Sequence, residues 1–172
     1  MGAVPQGPEL VDEPGPSTVA ASRASVVRLM VPTDANFQGN VFGGSILEEI
    51  DRVAYISAGR HSKAPCVTAS FDRVDFIAPV HVGEIVTFAS ELTYVGHSSM
   101  EVHVDVRSEE VQSGRVRRVA EAFVTMVAVD DALRPIAVPP LLCERDEERR
   151  RFEEGRRRME ARRHSRAGRA EP

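Results

Sequence analysis

The sequence predicts an α+β domain in which one long helix packs on a five-stranded antiparallel sheet. Apolar residues recur at three- and four-residue spacing from Ser45 to about His61, which is typical of an amphipathic helix. Apolar residues at every second position from Met100 to Val106 indicate a half-exposed strand. The later stretch 115–129 is apolar on both faces over AFVTMVAV, which favours a central strand.

The predicted elements follow one another in a simple order. A first strand precedes the helix, whose solvated face is expected to hold Glu48, Glu49 and Arg52. Four antiparallel strands come after the helix, and a slip in the alternation near Asp72-Arg73 predicts a β-bulge. The predicted strands are 25–31, one from 66 to a turn at 79–83, then 84–95, 100–107 and 115–129.

The chain divides into three regions. Residues 1–22 are rich in Pro, Gly and small side chains and are predicted to be disordered, and residues 23–142 hold the domain. Residues 143–172 are predicted to form a charged, Arg-rich helix and tail, with 11 Arg against 8 acidic residues in 144–172. This helix has three interpretations: a solvated helix with pairs such as Glu147–Arg151, a contact to a neighbouring subunit or to phosphates, or nucleic-acid binding. Interleaved acidic residues make the last the weakest.

Composition excludes several function classes. The net charge of −4 arises from an acidic body, which does not favour nucleic-acid binding. No apolar run approaches a membrane span of about 18 residues, and the N-terminus lacks the features of a secretory signal. A cytoplasmic protein with free Cys66 and Cys143 is therefore expected. The five histidines lack metal-ligand spacing, so no metal is expected, and no Gly-x-Ser-x-Gly motif is present.

The most informative stretch joins the first strand to the helix. Gly43 and Gly44 allow a tight turn and a close approach of the backbone. Asp51 lies on the flank of the apolar stripe, where an ionised carboxylate is costly unless it is hydrogen-bonded or has a task. One interpretation is an ordinary helix-edge residue with a polar partner. The other is a carboxylate aimed into a cleft, near helix N–H groups that can bind an oxyanion.

The predicted sheet leaves surface to be covered. One helix covers one face of a five-stranded sheet, so the other face and an open edge remain apolar. A subunit of this kind is expected to dimerise.

Five separate motifs together resemble one family. PTDANFQGNVFGG with EEIDRVA, CVTASFDRVDFIAPVHVGE, GHSSMEV, AFVTMVAVD and RPIAVP stand in an order that is similar to the hotdog-fold acyl-CoA thioesterases. The likeness is closest to the broad-specificity acyl-CoA hydrolases (the YciA-like and brain acyl-CoA hydrolase group) and covers about residues 26–140. It implies a hotdog fold, subunits joined edge to edge with active sites at the dimer interface, and dimers assembled as a trimer of dimers, a homohexamer.

The resemblance also implies catalytic residues. Asn36, Asp51 and Thr68 match the family's loop asparagine, helix acid and strand threonine, and the first two are expected to meet from opposite subunits. Backbone N–H groups near Gly43 and Gly44 would polarise the thioester carbonyl. Taken singly, Asn36 has the alternative of a turn residue and Thr68 that of an ordinary strand residue.

Residues that contact coenzyme A are predicted from the same motifs. The hairpin after Gly96 resembles the segment near the pantetheine arm, and the CoA phosphates need cations. Arg107, Arg115 and Arg117 are further cation candidates, and Asn40 has the alternative of a helix cap. The predicted CoA-binding residues are Asn40, Arg73, Phe76, Ser98 and Ser99.

The expected reaction is hydrolysis of acyl-CoA to free CoA and a carboxylic acid, without a separate cofactor. Asp51 would serve as general base or as nucleophile, and the residues leave both routes open. Two alternatives belong to other classes. A non-catalytic acyl-CoA sensor would need a DNA-binding element, and the residues before the fold are too few for one. A hotdog hydratase or dehydratase would use a histidine, and none precedes Asp51 in the loop or helix.

Overall fold

Five antiparallel strands form one sheet, and a long helix packs across one of its faces. The computed structural model describes residues 15–167, with side chains as far as His164. The sheet has the order β2-β4-β5-β6-β3, so β2 and β3 are its edges. The strands are β1 (Ser17–Thr18), β2 (Ala24–Leu29), β3 (Cys66–Phe76), β4 (Ile85–Val95), β5 (Ser99–Glu110), β6 (Arg115–Ala128) and β7 (Leu141–Leu142), and the helices are α1 (Val19–Ser22), α2 (Gly43–Ser62) and α3 (Asp146–Ala167).

The apolar stripe of α2 forms the centre of the core. Ile50, Val53 and Ala54 are fully buried against alternate residues of β4, β5 and β6. The helix begins two residues earlier than predicted, at Gly43, and ends where Lys63 adopts a left-handed conformation with φ of 55°. Within the described residues, no helix is long and apolar enough to cross a bilayer. The predicted α+β class and the order of its elements are confirmed.

The prediction that Glu49 lies on the solvated face of α2 is wrong. Glu49 is only 4% exposed. Its carboxylate accepts hydrogen bonds from Arg28 of β2 at 3.1 Å and from Arg52 at 2.8 Å. Arg28 also donates to Asp34, at 2.6 Å, in the 3₁₀ turn that follows β2. The ion pairs remove the cost of burying Glu49 and fasten this turn to the helix.

The predicted disorder of residues 1–22 is wrong for residues 17–22. β1 pairs in parallel with β7, and α1 follows it. Thr18 caps α1 by accepting a hydrogen bond from the Ala21 N–H, and Val19 is buried. Ser22 accepts a hydrogen bond from the Leu92 N–H, at 3.2 Å, and so joins α1 to β4. Residues 1–14 lie outside the described residues.

The interpretation of the C-terminal helix as a solvated helix is wrong for one of its faces. α3 lies across the face of the sheet opposite α2, where Met159 is 3% exposed and Phe152 packs on Tyr94 with ring centroids 5.0 Å apart. Arg158 donates two hydrogen bonds, of 3.0 and 2.7 Å, to the fully buried Glu101. The predicted pair between Arg151 and Glu147 is present at 2.9 Å on the solvated side of α3.

Edge strand β3 contains two bulges. Between Thr68 and Ser70, and again between Phe71 and Arg73, β3 contains one residue more than the stretch of β6 that pairs with it. The extra residues are therefore Ala69 and Asp72. The predicted bulge near Asp72 is confirmed, and the earlier one was not foreseen.

Candidate active site

The helix acid and the strand threonine are in direct contact. Thr68 Oγ1 donates a hydrogen bond of 2.5 Å to Oδ1 of Asp51. Asp51 is half-buried on the flank of α2, and Thr68 lies on the face of β3 that is turned toward α2. The contact satisfies the carboxylate and fixes the direction in which its second oxygen points.

A cavity of about 480 Å³ opens beside this pair. It has the size of a small-molecule site, and apolar and polar groups share its walls. Tyr55, one turn after Asp51 on α2, is 49% exposed. The lining residues are Asp51, Arg52, Tyr55, Ile56, Cys66 and Thr68.

Cys66 is unsuited to act as a nucleophile in this cavity. Its side chain is buried and lies 3.3 Å from Ser62 Oγ. Burial raises the pKa of the Cys66 thiol, although the contact with Ser62 opposes the shift. A thiol with a raised pKa is a poor nucleophile, so the Asp51 carboxylate is the stronger candidate for a reactive group in this cavity.

The start of α2 forms a second concave surface. The first N–H group of the helix that donates a hydrogen bond to a carbonyl is that of Ser45, and its acceptor is Phe42 at 3.0 Å. The preceding N–H groups, of Gly43 and Gly44, have no acceptor among the described residues. A Cβ on Gly43 would lie 3.2 Å from the Phe76 ring, whereas Gly44 faces open space. A cavity of about 350 Å³ adjoins this end of the helix, with Asn40 and Phe76 in its wall.

Asn36 organises the loop before α2. Its Oδ1 accepts hydrogen bonds from the N–H groups of Gln38 at 2.9 Å and of Asn40 at 3.2 Å. Its side-chain oxygen is therefore engaged locally, and its amide NH₂ group has no acceptor among the described residues. The next residue, Phe37, is 95% exposed. The loop thus presents a free amide donor beside an uncovered aromatic ring.

The predicted site residues fall into two groups within one chain. Seven to eight residues separate Gly43 and Gly44 from Asp51, which is about 11 Å along the axis of α2. Thr68 and Phe76 stand near opposite ends of β3, about 20 Å or more apart. The N–H groups of Gly43 and Gly44 and the Asp51 carboxylate therefore lie in two candidate half-sites, one at the start of α2 and one beside Thr68.

The predicted CoA-binding residues are divided in the same way. Asn40 and Phe76 line the cavity at the start of α2. Ser98 and Ser99 form the β4–β5 hairpin, where the Ser98 carbonyl accepts a hydrogen bond of 3.0 Å from Ala128, the partner of Cys66. The arginine candidates all have carboxylate partners in the chain: Arg73 with Asp75, Arg107 with Asp105, Arg115 with Glu110 and Arg117 with Glu84.

Sequence reasoning missed two features of these half-sites. Tyr55 stands four residues after Asp51, and that spacing places it on the same flank of the helix. The local sequence pattern does not predict that the side chain of Phe37 is exposed. Within the part of the chain with described side chains, no group of three or more His, Cys, Asp and Glu residues is placed to hold a metal ion.

The sheet, the long helix laid across it and the polar pair at its edge define a hotdog-fold protein. The thioesterase superfamily model matches residues 38–114. The chain is 37% identical to the cytosolic acyl coenzyme A thioester hydrolase of Rattus norvegicus over 92% of its own length. It spans 42% of the length of that relative.

Two solved structures extend the comparison. The acyl-CoA hydrolase of Staphylococcus aureus, solved with butyryl coenzyme A and coenzyme A, is 34% identical to this chain with a TM-score of 0.81. The matched region covers 88% of this chain and 93% of that one. A hexameric acyl-CoA thioesterase in its apo form is 37% identical to this chain with a TM-score of 0.84. The matched region covers 89% of this chain and 98% of that one. The chain belongs to the thioesterase superfamily, in the group of hotdog acyl-CoA thioester hydrolases.

Variants of the Staphylococcus aureus hydrolase have also been solved. They replace an asparagine, an aspartate and a threonine by alanine. The three residues stand 15 and 17 positions apart in that chain. Asn36, Asp51 and Thr68 have the same spacing here.

Proposed function

We propose that this protein hydrolyses acyl-CoA thioesters to free CoA and a carboxylic acid, without a separate cofactor. The observation that carries the proposal is the Asp51 carboxylate, held by Thr68 at the mouth of a cavity of about 480 Å³. The group of proteins to which the chain belongs and the matched spacing of the three polar residues support the same conclusion.

The reaction needs an activated oxygen nucleophile and a donor for the oxyanion. Asp51 supplies the first, either by taking a proton from water or by attacking the thioester carbonyl itself. The N–H groups at the start of α2 supply the second, because the helix dipole and the unpaired donors favour negative charge there. The amide NH₂ of Asn36 orients the carbonyl or the water, and the CoA thiolate leaves and takes up a proton. In the nucleophilic route a water then cleaves the anhydride between the acyl group and Asp51, which releases the carboxylic acid and restores the carboxylate.

Each complete site is built from two subunits. Within one chain the donors and Asp51 are separated by about 11 Å along α2, too far to contact one reacting carbonyl. Edge strand β3 offers unpaired backbone groups and exposed apolar side chains, among them Val67 and Phe71. Pairing of β3 with a second copy brings the Asn36 loop of one subunit toward the partner's cavity and covers Phe37. Such dimers then assemble into a trimer of dimers, as the hexameric relative suggests.

The alternatives are less well supported. A hydratase or dehydratase would need a histidine, and none is present among the described residues that line the two cavities. We assign the reaction to the cytoplasm, since both cysteines are free and the rat relative is named as cytosolic.

The test is release of free thiol from acyl-CoAs of increasing chain length. Wild type should release thiol, and Asp51→Ala should lower kcat at least about 100-fold while the oligomer persists. Asp131→Ala, at an exposed turn, is the matched control and should remain active. An active Asp51→Ala oligomer would remove this carboxylate from the reaction. Binding of acyl-CoA without release by wild type would assign a sensor instead.

A further inference from the structure

A polar cluster joins the C-terminal helix to the edge strand that carries Thr68. Arg162 of α3 donates to Asp72 Oδ1 at 2.9 Å and Oδ2 at 3.1 Å, and it also contacts Ser70 Oγ. Ser70 donates to Asp72 at 2.7 Å, and Thr125 of β6 donates to the other Asp72 oxygen. The side chains of Arg162 and Asp72 are only 20% and 17% exposed.

The cluster is satisfied from three sides, which distinguishes it from an ordinary surface ion pair. Burial acts to raise the pKa of Asp72, but hydrogen bonds from Thr125, Ser70 and Arg162 outweigh it and hold the pKa below its ordinary value. Met159, one turn before Arg162, is buried against Thr125. α3 therefore meets the sheet at this point with both apolar and charged contacts.

Ser70 lies between the two bulges, and Asp72 is the extra residue of the second one. Strict alternation from Thr68 would turn Ser70 and Asp72 toward α2. The bulges instead turn Phe71 toward α2, opposite the buried Val124, and leave Ser70 and Asp72 on the face covered by α3. A bulged edge strand lacks part of its ladder, so contacts from outside the ladder determine its path.

We propose that Arg162 is a positioning residue for the active site, acting through Asp72 on the bulged part of β3 and hence on Thr68. This inference rests on the proposed function. Ala69 and Ser70 immediately follow Thr68, so a shift of the bulge moves the Thr68 hydroxyl relative to Asp51. A displacement of about 1 Å at a reacting group is enough to lower a rate by up to about 100-fold. The hydrogen bonds of the cluster involve none of the predicted CoA-binding residues, so substrate binding should be preserved.

The experiment is a double-mutant cycle on the full chain with an acyl-CoA substrate. Arg162→Ala should lower kcat by about 10-fold or more with little change in KM, and Arg162→Lys should restore part of the loss. In a Thr68→Val background, Arg162→Ala should have little further effect, because its action passes through Thr68. Arg156→Ala is the matched control, since Arg156 lies on α3 and its ion-pair partners among the described residues are Glu153 and Glu160 of the same helix.

Hydrogen–deuterium exchange gives a readout that does not need activity. Exchange of the 66–76 segment should accelerate in Arg162→Ala and in Asp72→Asn, and not in Arg156→Ala. Asp72→Asn keeps the shape of the side chain but removes its charge, so it serves if Arg162→Ala fails to fold.

The outcomes separate the two proposals. No thiol release by wild type would overturn the proposed function, and exchange of β3 would still decide whether Arg162 sets the path of the strand. Unchanged exchange would overturn the inference in either case. Equal losses of kcat in the wild-type and Thr68→Val backgrounds would also overturn it, because they would show an effect on general stability.

Discussion

Thr68 on the edge strand and Asp51 on the central helix share a hydrogen bond of 2.5 Å, although 17 residues separate them in the chain. The bond joins the two elements that form the wall of the candidate half-site beside Thr68. It also gives the carboxylate a fixed orientation toward the cavity, which an isolated helix-edge aspartate would lack.

Removal of the threonine hydroxyl should slow catalysis without removing the carboxylate. We expect Thr68→Val to lower kcat by about 10-fold, because Asp51 loses the donor that orients it. Thr68→Ser retains the hydroxyl and should keep most of the activity. The measurement is the initial rate of thiol release at saturating acyl-CoA. A fully active Thr68→Val protein would contradict the role given to this hydrogen bond.

Mixed oligomers should test the division of the site between subunits. Asn36→Ala and Asp51→Ala proteins are each expected to be inactive. After exchange of subunits, one of the two sites in a mixed dimer keeps both residues, so activity should return to about a quarter of the wild-type level in an equal mixture. Mass spectrometry of the mixed species is the control for exchange. Mixed dimers without activity would place both residues in a site formed by one chain.

The contact of α3 with the sheet predicts an unusual response to alanine. A Cβ on Gly155 would lie 2.7 Å from Tyr94 Cβ and 2.8 Å from Glu101 Oε1. Gly155→Ala should therefore lower the free energy of unfolding by about 1 to 3 kcal/mol, although alanine is favoured over glycine by about 1 kcal/mol in a helix. Thermal unfolding followed by circular dichroism measures the change. Arg157→Ala, at an exposed position of α3, is the control, and a Gly155→Ala protein more stable than wild type would refute the close packing.

His61 should make stability depend on pH near neutrality. It is buried, and its Nε2 lies 2.8 Å from the Pro139 carbonyl, while Nδ1 has no partner among the residues that the structure describes. Burial lowers the pKa of His61, the hydrogen bond to Pro139 opposes the shift, and the charge of Lys63 adds to it. The unfolded chain binds a proton on His61 more readily than the folded chain does. The contribution of His61 to the free energy of unfolding is therefore fully present above about pH 6.5 and is lost below that pH, by at most about 1.4 kcal/mol per pH unit.

A variant isolates this contribution. His61→Gln keeps a donor within reach of Pro139 but does not titrate in this range. Urea unfolding at pH 7.5 and pH 5.5 should show a larger loss for wild type than for His61→Gln. Equal losses would exclude His61 as the source.

The fold was largely predictable because its signals are local. The period of α2 and the alternation of β5 are visible in short windows, and their bounds differ from the prediction by a few residues. The errors arise where a distant partner decides the outcome. Glu49 follows a polar pattern, yet Arg28, 21 residues earlier, stabilises it in a buried position.

The placement of α3 had the weakest signal. Its sequence is almost wholly charged, and its main apolar anchors, Phe152 and Met159, stand seven residues apart. The acceptor for Arg158 is Glu101, whose place in an alternating strand predicts exposure. Ion pairs of this kind depend on side chains that meet only after the sheet has formed, so no local pattern predicts them.

The candidate site was predicted in part. Periodicity placed Asp51 on the flank of the helix but left its role open, and Thr68 was identified as a site residue only through the family resemblance. The two bulges that follow Thr68 involve the register between β3 and β6, which the sequence of β3 alone does not determine beyond the slip near Asp72.

The interrupted ladder of β3 has a consequence for the newly made chain. An edge strand of 11 residues with exposed Val67, Phe71 and Phe76 is a template on which further strands could stack into fibres. Two bulges and the charged Asp72 and Arg73 in its middle break the flat row of donors and acceptors that such growth requires. The irregular strand thus lowers the tendency of the newly made chain to aggregate through this edge.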